Sequence, residues 1–154
     1  MIKKVIIAVI GGSKASNKDK TAAFEVGRLI AENDAILICG GLSGVMTEAA
    51  RGAKSAGGTT IGILPSDDKK SANEFIDIVI PTGMGMARNV IIARTADALI
   101  AVSGEYGTLS EIAFGLQLNK PVIGINTWDI KGVTHAKDAE EAVLKTFRIL
   151  KDLF

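Results

Sequence analysis

The chain has 154 residues, of which 47% are apolar, 23% charged and 5% aromatic, which predicts one globular domain over residues 1–154 with an aliphatic core. Lys and Arg total 18 against 17 for Asp and Glu, so no excess of positive charge indicates nucleic acid as a partner. A single Cys and a single His exclude an internal disulfide and every multi-cysteine metal site, and no metal is predicted.

Six short runs rich in Ile and Val recur along the chain, in the order KVIIAVI, AILIC, TIGIL, IDIVI, ALIAV and PVIGI. Near-continuous apolar runs are typical of strands that are buried on both faces of a parallel sheet. The first run follows two lysines, but it is short and ends at Gly11 and Gly12, so we interpret it as a buried strand rather than a signal peptide. No run is long enough to cross a bilayer, and the predicted location is the cytoplasm.

Amphipathic segments between and after these runs predict five helices, over 19–32, 45–55, 86–95, 108–118 and 138–153. Asp138 is a predicted N-cap, with Glu141 three residues later. The polar segment 65–73 predicts a surface loop. The alternation of strands and helices predicts a single Rossmann-like α/β domain, with a doubly wound parallel sheet flanked by helices. Ligands of such folds bind beyond the carboxyl ends of the strands.

Three predicted strands end in glycine-containing turns that open helices: GGSKAS from Gly11, GGLSGVM from Gly40 and SGEYGTLSE from Ser103. Glycine lets backbone amides approach a ligand closely, and a helix N-terminus favours an anion, so the turns predict a phosphorylated ligand. Two common phosphate motifs are absent from the sequence, because no GxGxxG follows the first strand and no GxxxxGK[ST] occurs.

The turns also carry a family resemblance. CGGLSGVMTEAARGA resembles the GGxxxGLMG segment of the LONELY GUY (LOG) proteins, which release cytokinin bases from nucleoside monophosphates, and SGEYGTLSE resembles their PGGxGTxxE motif. MARN, from Met86 to Asn89, stands where those enzymes carry an Arg-Lys pair. The chain is identified as a member of this LOG/SLOG superfamily. Within the superfamily, its ARN and GTLSE residues are most similar to a shorter branch that includes molybdenum cofactor carrier proteins and chains labelled lysine decarboxylase-like.

The resemblance implies two catalytic residues, Arg88 and Glu111. The carboxylate would stabilise an oxocarbenium ion or place a water, and the guanidinium would hold the phosphate, polarise the leaving base or orient Glu111. The alternative is a structural ion pair at the ends of two helices. The implied ligand-binding residues are Gly12, Ser13, Gly40, Gly41, Gly44, Met46, Asn89, Gly104, Gly107 and Thr108. Structural alternatives remain for Met46, as a core residue, and for Thr108, as the cap of the fourth helix.

Two departures from the family pattern change the charge of the expected site. Asn89 replaces a lysine, and Glu105 replaces the second glycine of the third motif, where Ser103 replaces a proline. Three functions stay open: a nucleoside monophosphate phosphoribohydrolase that needs no cofactor, a non-catalytic carrier or sensor for which molybdenum cofactor is one candidate cargo, and an oligomeric scaffold with a vestigial pocket. In the first two, the partner is a small phosphorylated, nucleoside-like ligand rather than a nucleic acid or a membrane, and the superfamily implies a homodimer or homotetramer.

Overall fold

A computed structural model describes residues 3–154 of the chain. Seven parallel strands form one sheet in the order β4-β3-β2-β1-β5-β6-β7. The strands are β1 (Ile6–Gly11), β2 (Ile36–Cys39), β3 (Thr60–Leu64), β4 (Ile78–Pro81), β5 (Ala98–Val102), β6 (Val122–Ile125) and β7 (Thr134–Ala136). The helices are α1 (Asn17–Glu32), α2 (Val45–Ser55), α3 (Asn89–Thr95), α4 (Tyr106–Gln117) and α5 (Ala139–Leu153).

Alternate residues of the central strands point into two separate cores. In β1, Ile7 and Val9 pack with α1, α2 and α5, whereas Ala8 and Ile10 pack with α3 and α4. All four side chains are at most 1% exposed, as the near-continuous apolar run requires of a strand covered on both faces. The predicted doubly wound, Rossmann-like α/β fold is confirmed.

Side-chain caps fix the first turns of α1 and α5. Ser16 Oγ accepts a hydrogen bond from the Asp19 backbone N–H at 3.1 Å, so α1 begins at Asn17, two residues before the predicted start. The predicted cap of α5 is confirmed, because Asp138 Oδ1 accepts from the Glu141 backbone N–H at 2.9 Å. No helix within residues 3–154 is long and apolar enough to cross a membrane.

Two elements differ from the predicted pattern. The helix predicted over 86–95 is divided, since Gly85–Arg88 forms a 3₁₀ turn and α3 begins only at Asn89. The positive φ of Gly83 and Gly85, at 63° and 59°, breaks the regular backbone just before this point. The strand β7 was not predicted, because its three residues Thr-His-Ala contain no Ile or Val run and lie at the edge of the sheet.

The start of α4 is also a correction. The helix begins at Tyr106 rather than Thr108, its N-cap is Glu105, and no side chain caps it. Thr108 lies inside the first turn, is 2% exposed and packs against Gly104, so its predicted role as a helix cap is wrong. Segment 65–73 is the predicted surface segment, with one 3₁₀ turn at Lys69–Ser71.

Candidate functional site

A cavity of about 350 Å³ opens at the carboxyl ends of the strands. Adjacent strands β1 and β5 lead into α1 on one face of the sheet and α4 on the other, which makes this point the topological switch of the fold. Its volume lies in the usual range for small-ligand sites. The lining residues are Gly11, Gly12, Ser13, Lys14, Leu42, Met46, Met86, Arg88, Asn89, Glu105, Gly107, Thr108 and Glu111.

The structure brings most of the residues named by the motifs into this lining. Both implied catalytic residues line it, as do six of the implied ligand-binding residues: Gly12, Ser13, Met46, Asn89, Gly107 and Thr108. The sequence reasoning did not select Leu42 or Met86 as site residues, although both lie inside the quoted motifs GGLSGVM and MARN. Met46 was predicted either as a ligand-binding residue or as a core residue. It is 7% exposed, lines the cavity and also packs in the core.

Four predicted glycines, Gly40, Gly41, Gly44 and Gly104, lie behind the lining. A Cβ on Gly40 would lie 2.7 Å from Met46 Sδ and 2.8 Å from Arg88 Nη2. Gly104 has a φ of +105°, and a Cβ there would lie 2.2 Å from Thr108 Oγ1. Gly40 and Gly104 therefore let the side chains of Met46, Arg88 and Thr108, which line the cavity, pack against the turns.

Arg88 forms one wall of the cavity at the junction between the 3₁₀ turn and α3. The residue is 9% exposed, and its Nη1 donates a hydrogen bond to Asn89 Oδ1. Its Nε has no hydrogen-bond partner, alone among the buried side-chain nitrogen and oxygen atoms of residues 3–154. Burial lowers the pKa of Arg88, and the nearby Glu111 and Cys39 oppose that effect. Since arginine keeps its proton in proteins, the guanidinium remains a cation with a free donor.

Asn89 connects Arg88 to the first turn of α4. It is 3% exposed, and its Nδ2 donates to Ser110 Oγ at 3.1 Å, while Ser110 Oγ donates to the Gly107 carbonyl at 2.6 Å. Both ends of the Asn89 amide therefore have partners in the protein. A lysine at this position could not accept the hydrogen bond from Arg88, because its ammonium group only donates.

Glu111 lies on α4 one turn after Thr108 and is 6% exposed. Its carboxyl group makes no hydrogen bond or ion pair with the described residues, so the alternative of a structural pair with Arg88 is not realised. Burial raises the pKa of Glu111 to about 8, with the positive charge of Arg88 acting in the opposite direction. The group is therefore mostly protonated at neutral pH.

Glu105 and Lys14 are the exposed charged residues of the lining. The sequence left the direction of Glu105 open, and the structure places the residue at the rim of the cavity. Its backbone carbonyl accepts a hydrogen bond from Trp128 Nε1 at 3.2 Å, and the Tyr106 and Trp128 rings lie 6.0 Å apart. These contacts hold the turn before α4.

The arrangement can bind an anion and exchange a proton. The first amides of α4 have no side-chain cap, and helix N-termini carry free N–H groups and partial positive charge. Arg88 supplies a further donor, and Glu111 is a carboxyl group with a pKa close to neutrality. Within residues 3–154, no group of three or more His, Cys, Asp or Glu side chains could hold a metal ion.

Comparison with curated proteins relates the chain to two groups. A protein from Archaeoglobus fulgidus is 47% identical over 143 residues, which are 92% of this chain and 94% of that protein. A probable cytokinin riboside 5′-monophosphate phosphoribohydrolase from Oryza sativa subsp. japonica is 35% identical over 104 residues. That match covers 66% of this chain but only 45% of the rice protein, so the chain spans less than half the length of the enzyme.

Solved structures match over nearly the whole chain. The molybdenum cofactor binding protein of Rippkaea orientalis is 37% identical with a TM-score of 0.92, over 97% of this chain and 99% of that one. The molybdenum cofactor carrier protein of Chlamydomonas reinhardtii is 38% identical with a TM-score of 0.89 over the same shares. Residues 4–151 match the SLOG cluster4 family. The chain therefore belongs to the SLOG cluster4 family, and the membership of the LOG/SLOG superfamily that its motifs predicted is confirmed.

Proposed function

We propose that the cavity binds the phosphate end of a small ligand and that the protein carries or senses this ligand, with molybdenum cofactor as its cargo. The observation that carries the proposal is Arg88, which lines the cavity and whose buried Nε has no hydrogen-bond partner in the described residues. A buried donor without a partner costs about 1–3 kcal/mol, and a phosphate oxygen would relieve this cost with a charge-assisted hydrogen bond.

The remaining lining supports an anionic ligand of limited size. Gly12, Gly107 and Thr108 line the cavity, and the backbone amides of such turns suit an anion, while Lys14 adds a positive charge at the rim. Met46 and Leu42 supply apolar surface beside them, which suits the flat ring of a pterin or a base. The two molybdenum cofactor proteins named above match the chain along nearly its whole length, whereas the phosphoribohydrolase match does not.

The test is to isolate the protein gently from a host that makes molybdenum cofactor and to identify the bound molecules by mass spectrometry. We expect a pterin phosphate in the wild-type protein and a strongly reduced amount in Arg88→Leu. Equal amounts of ligand in both proteins would contradict the role of Arg88. Absence of any pterin or nucleotide from the wild-type protein would contradict the proposal itself.

A second candidate is hydrolysis of a nucleoside monophosphate to free base and ribose phosphate. The observation that favours it is the presence of Arg88 and Glu111 in one cavity, as in the catalytic assignment implied by the motifs. Incubation with a panel of nucleoside monophosphates and chromatography of the released bases tests it. Release by the wild-type protein that is lost in Glu111→Ala would establish catalysis, and no release would leave the carrier function.

Three further expectations from the sequence stay predictions within this proposal: a location in the cytoplasm, no nucleic-acid partner, and a homodimer or homotetramer. Light scattering of the purified protein measures the last of these directly. A mass equal to one chain, 16.1 kDa, would contradict it.

A further inference from the structure

Two polar groups in the cavity wall have no partner in the described part of the protein. The first is Arg88 Nε, a fully buried donor, although buried polar groups in folded proteins nearly always make a hydrogen bond. The second is the carboxyl group of Glu111, which is not fully enclosed and is open to the cavity, although the residue is only 6% exposed. Both groups border the same cavity, but no ion pair joins them within residues 3–154. Together they indicate a ligand that contacts both.

The charges around Glu111 decide which form of its carboxyl group suits an anion. Arg88 faces it from the turn before α3 and Cys39 from the end of β2, while Lys14 and Glu105 line the cavity from the turns after β1 and β5. The Cys39 thiol is neutral, because burial raises its pKa to about 12. An ionised Glu111 would therefore make the lining two positive and two negative groups. A protonated Glu111 leaves an excess of positive charge, which is what a phosphate needs.

We propose that the cavity binds a phosphate-bearing anion with Glu111 protonated, so that its carboxyl O–H and the Arg88 Nε–H donate to the same anionic group. The inference rests on the proposed function and adds that the carboxyl group of Glu111 is protonated when the ligand is bound. The proton comes from solvent, and no covalent bond of the ligand forms or breaks. In this role Glu111 is a hydrogen-bond donor, which is the opposite of the general base that hydrolysis would use.

Proton uptake follows from this arrangement. In the ligand-free protein, burial raises the pKa of Glu111 to about 8, and an anion beside the carboxyl group favours the protonated form further. Binding takes up almost no proton at pH 6.5, where the group is already protonated. Above pH 8 binding requires a proton, so affinity should fall by roughly tenfold for each further pH unit.

The experiment is calorimetric titration with 5′-AMP, and separately with sulfate, at pH 7 and pH 9 and constant ionic strength. The phosphate of 5′-AMP is mainly a dianion at these pH values, because the second pKa of a phosphate monoester is about 6, and sulfate is a dianion at both. We expect the dissociation constant of the wild-type protein to rise about tenfold between the two pH values. Repeating the titration at pH 9 in buffers of different ionisation enthalpy should show nearly one proton taken up per ligand.

Two variants make the assignment specific. Glu111→Gln keeps an N–H donor but cannot ionise, so its dissociation constant should be the same at pH 7 and pH 9. Glu105→Gln removes the other carboxylate of the lining and should keep the wild-type ratio. If Glu111→Gln does not fold, the number of protons that the wild-type protein takes up on binding at pH 9 tests the inference by itself.

The outcomes separate this inference from the function on which it rests. Equal affinity at both pH values without proton uptake, or the same loss of affinity in Glu111→Gln, would overturn the role of Glu111 and leave phosphate binding intact. No binding of either probe at pH 7 would overturn the proposed function and the inference with it.

Discussion

Replacing Glu111 with glutamine should change how the stability of the ligand-free protein depends on pH. The carboxyl group is 6% exposed, and burial raises its pKa from 4.5 to about 8. Because the folded state holds this proton more tightly than the unfolded state, the stability that Glu111 contributes is complete below pH 4.5 and is lost as pH rises to about 8. Glu111→Gln has no proton to lose and should escape this decline.

The size of the effect follows from the same values. A tenfold difference in proton affinity is worth about 1.4 kcal/mol, so the whole decline is on the order of 4 to 5 kcal/mol. Roughly half of it, about 2 to 3 kcal/mol, falls between pH 6 and pH 9, because the unfolded chain is already ionised at pH 6. For a chain of this length, that difference corresponds to about 5–10 °C in melting temperature.

Urea unfolding at pH 6 and pH 9 measures this effect directly. Glu111→Gln should be the more stable protein at both values, by about 2 kcal/mol at pH 6 and by about 4 to 5 kcal/mol at pH 9, so the gap should widen by about 2 to 3 kcal/mol. Glu105→Gln is the matched control, and it should follow the wild-type protein because its carboxylate is exposed to water. Parallel pH curves for wild type and Glu111→Gln would refute the reasoning.

Three other variants test separate parts of the site. Arg88→Lys keeps the positive charge but removes the Nε–H and the guanidinium group that donates to Asn89. The dissociation constant for 5′-AMP, measured by calorimetry, should therefore rise by about tenfold or more, and an unchanged value would contradict the assignment. Glu105→Gln should lower the dissociation constant for 5′-AMP several-fold at low salt, and by less at high salt because salt screens exposed charges. A higher dissociation constant would mean that Glu105 attracts the ligand. Gly104→Ala should lower the free energy of unfolding in urea by about 2 kcal/mol or more, because φ is +105° and the new Cβ would meet Thr108 Oγ1. Gly107→Ala is the control: a Cβ there has open space within 4 Å, so the substitution should be neutral or slightly stabilising. Equal effects of the two substitutions would contradict this explanation.

The sequence predicted the fold because burial on both faces leaves a strong pattern. Runs such as ALIAV and TIGIL match β5 and β3 residue for residue, since nearly all positions in a parallel strand covered on both faces are apolar. Strand β7 lies at the sheet edge, where only Ala136 is buried, so its sequence carries no such pattern. The division of the third helix depends on the backbone angles around Gly83 and Gly85, which an amphipathic pattern does not report.

The sequence named most of the residues that line the cavity, but not the contacts between them. The family resemblance was enough to name Arg88, Glu111 and Thr108. The hydrogen bonds from Asn89 to Ser110 and from Ser110 to Gly107 depend on how α3 packs against α4, and no local pattern encodes that packing. The proton affinity of Glu111 is also a property of burial, which becomes known only when the surrounding elements are in place.

The residues that line the cavity lie in two separate segments of the chain, 11–46 and 86–111. Between them lies the exposed segment 65–73, which joins neighbouring strands without entering the cavity. Division of the chain within that segment would give two fragments, each with about half of the residues that line the cavity. The β1–β5 and β3–β4 pairings would be the route of their reassembly. A ligand in the cavity would then act as a bridge between fragments, so that the protein could be used as a split reporter for the molecule it binds.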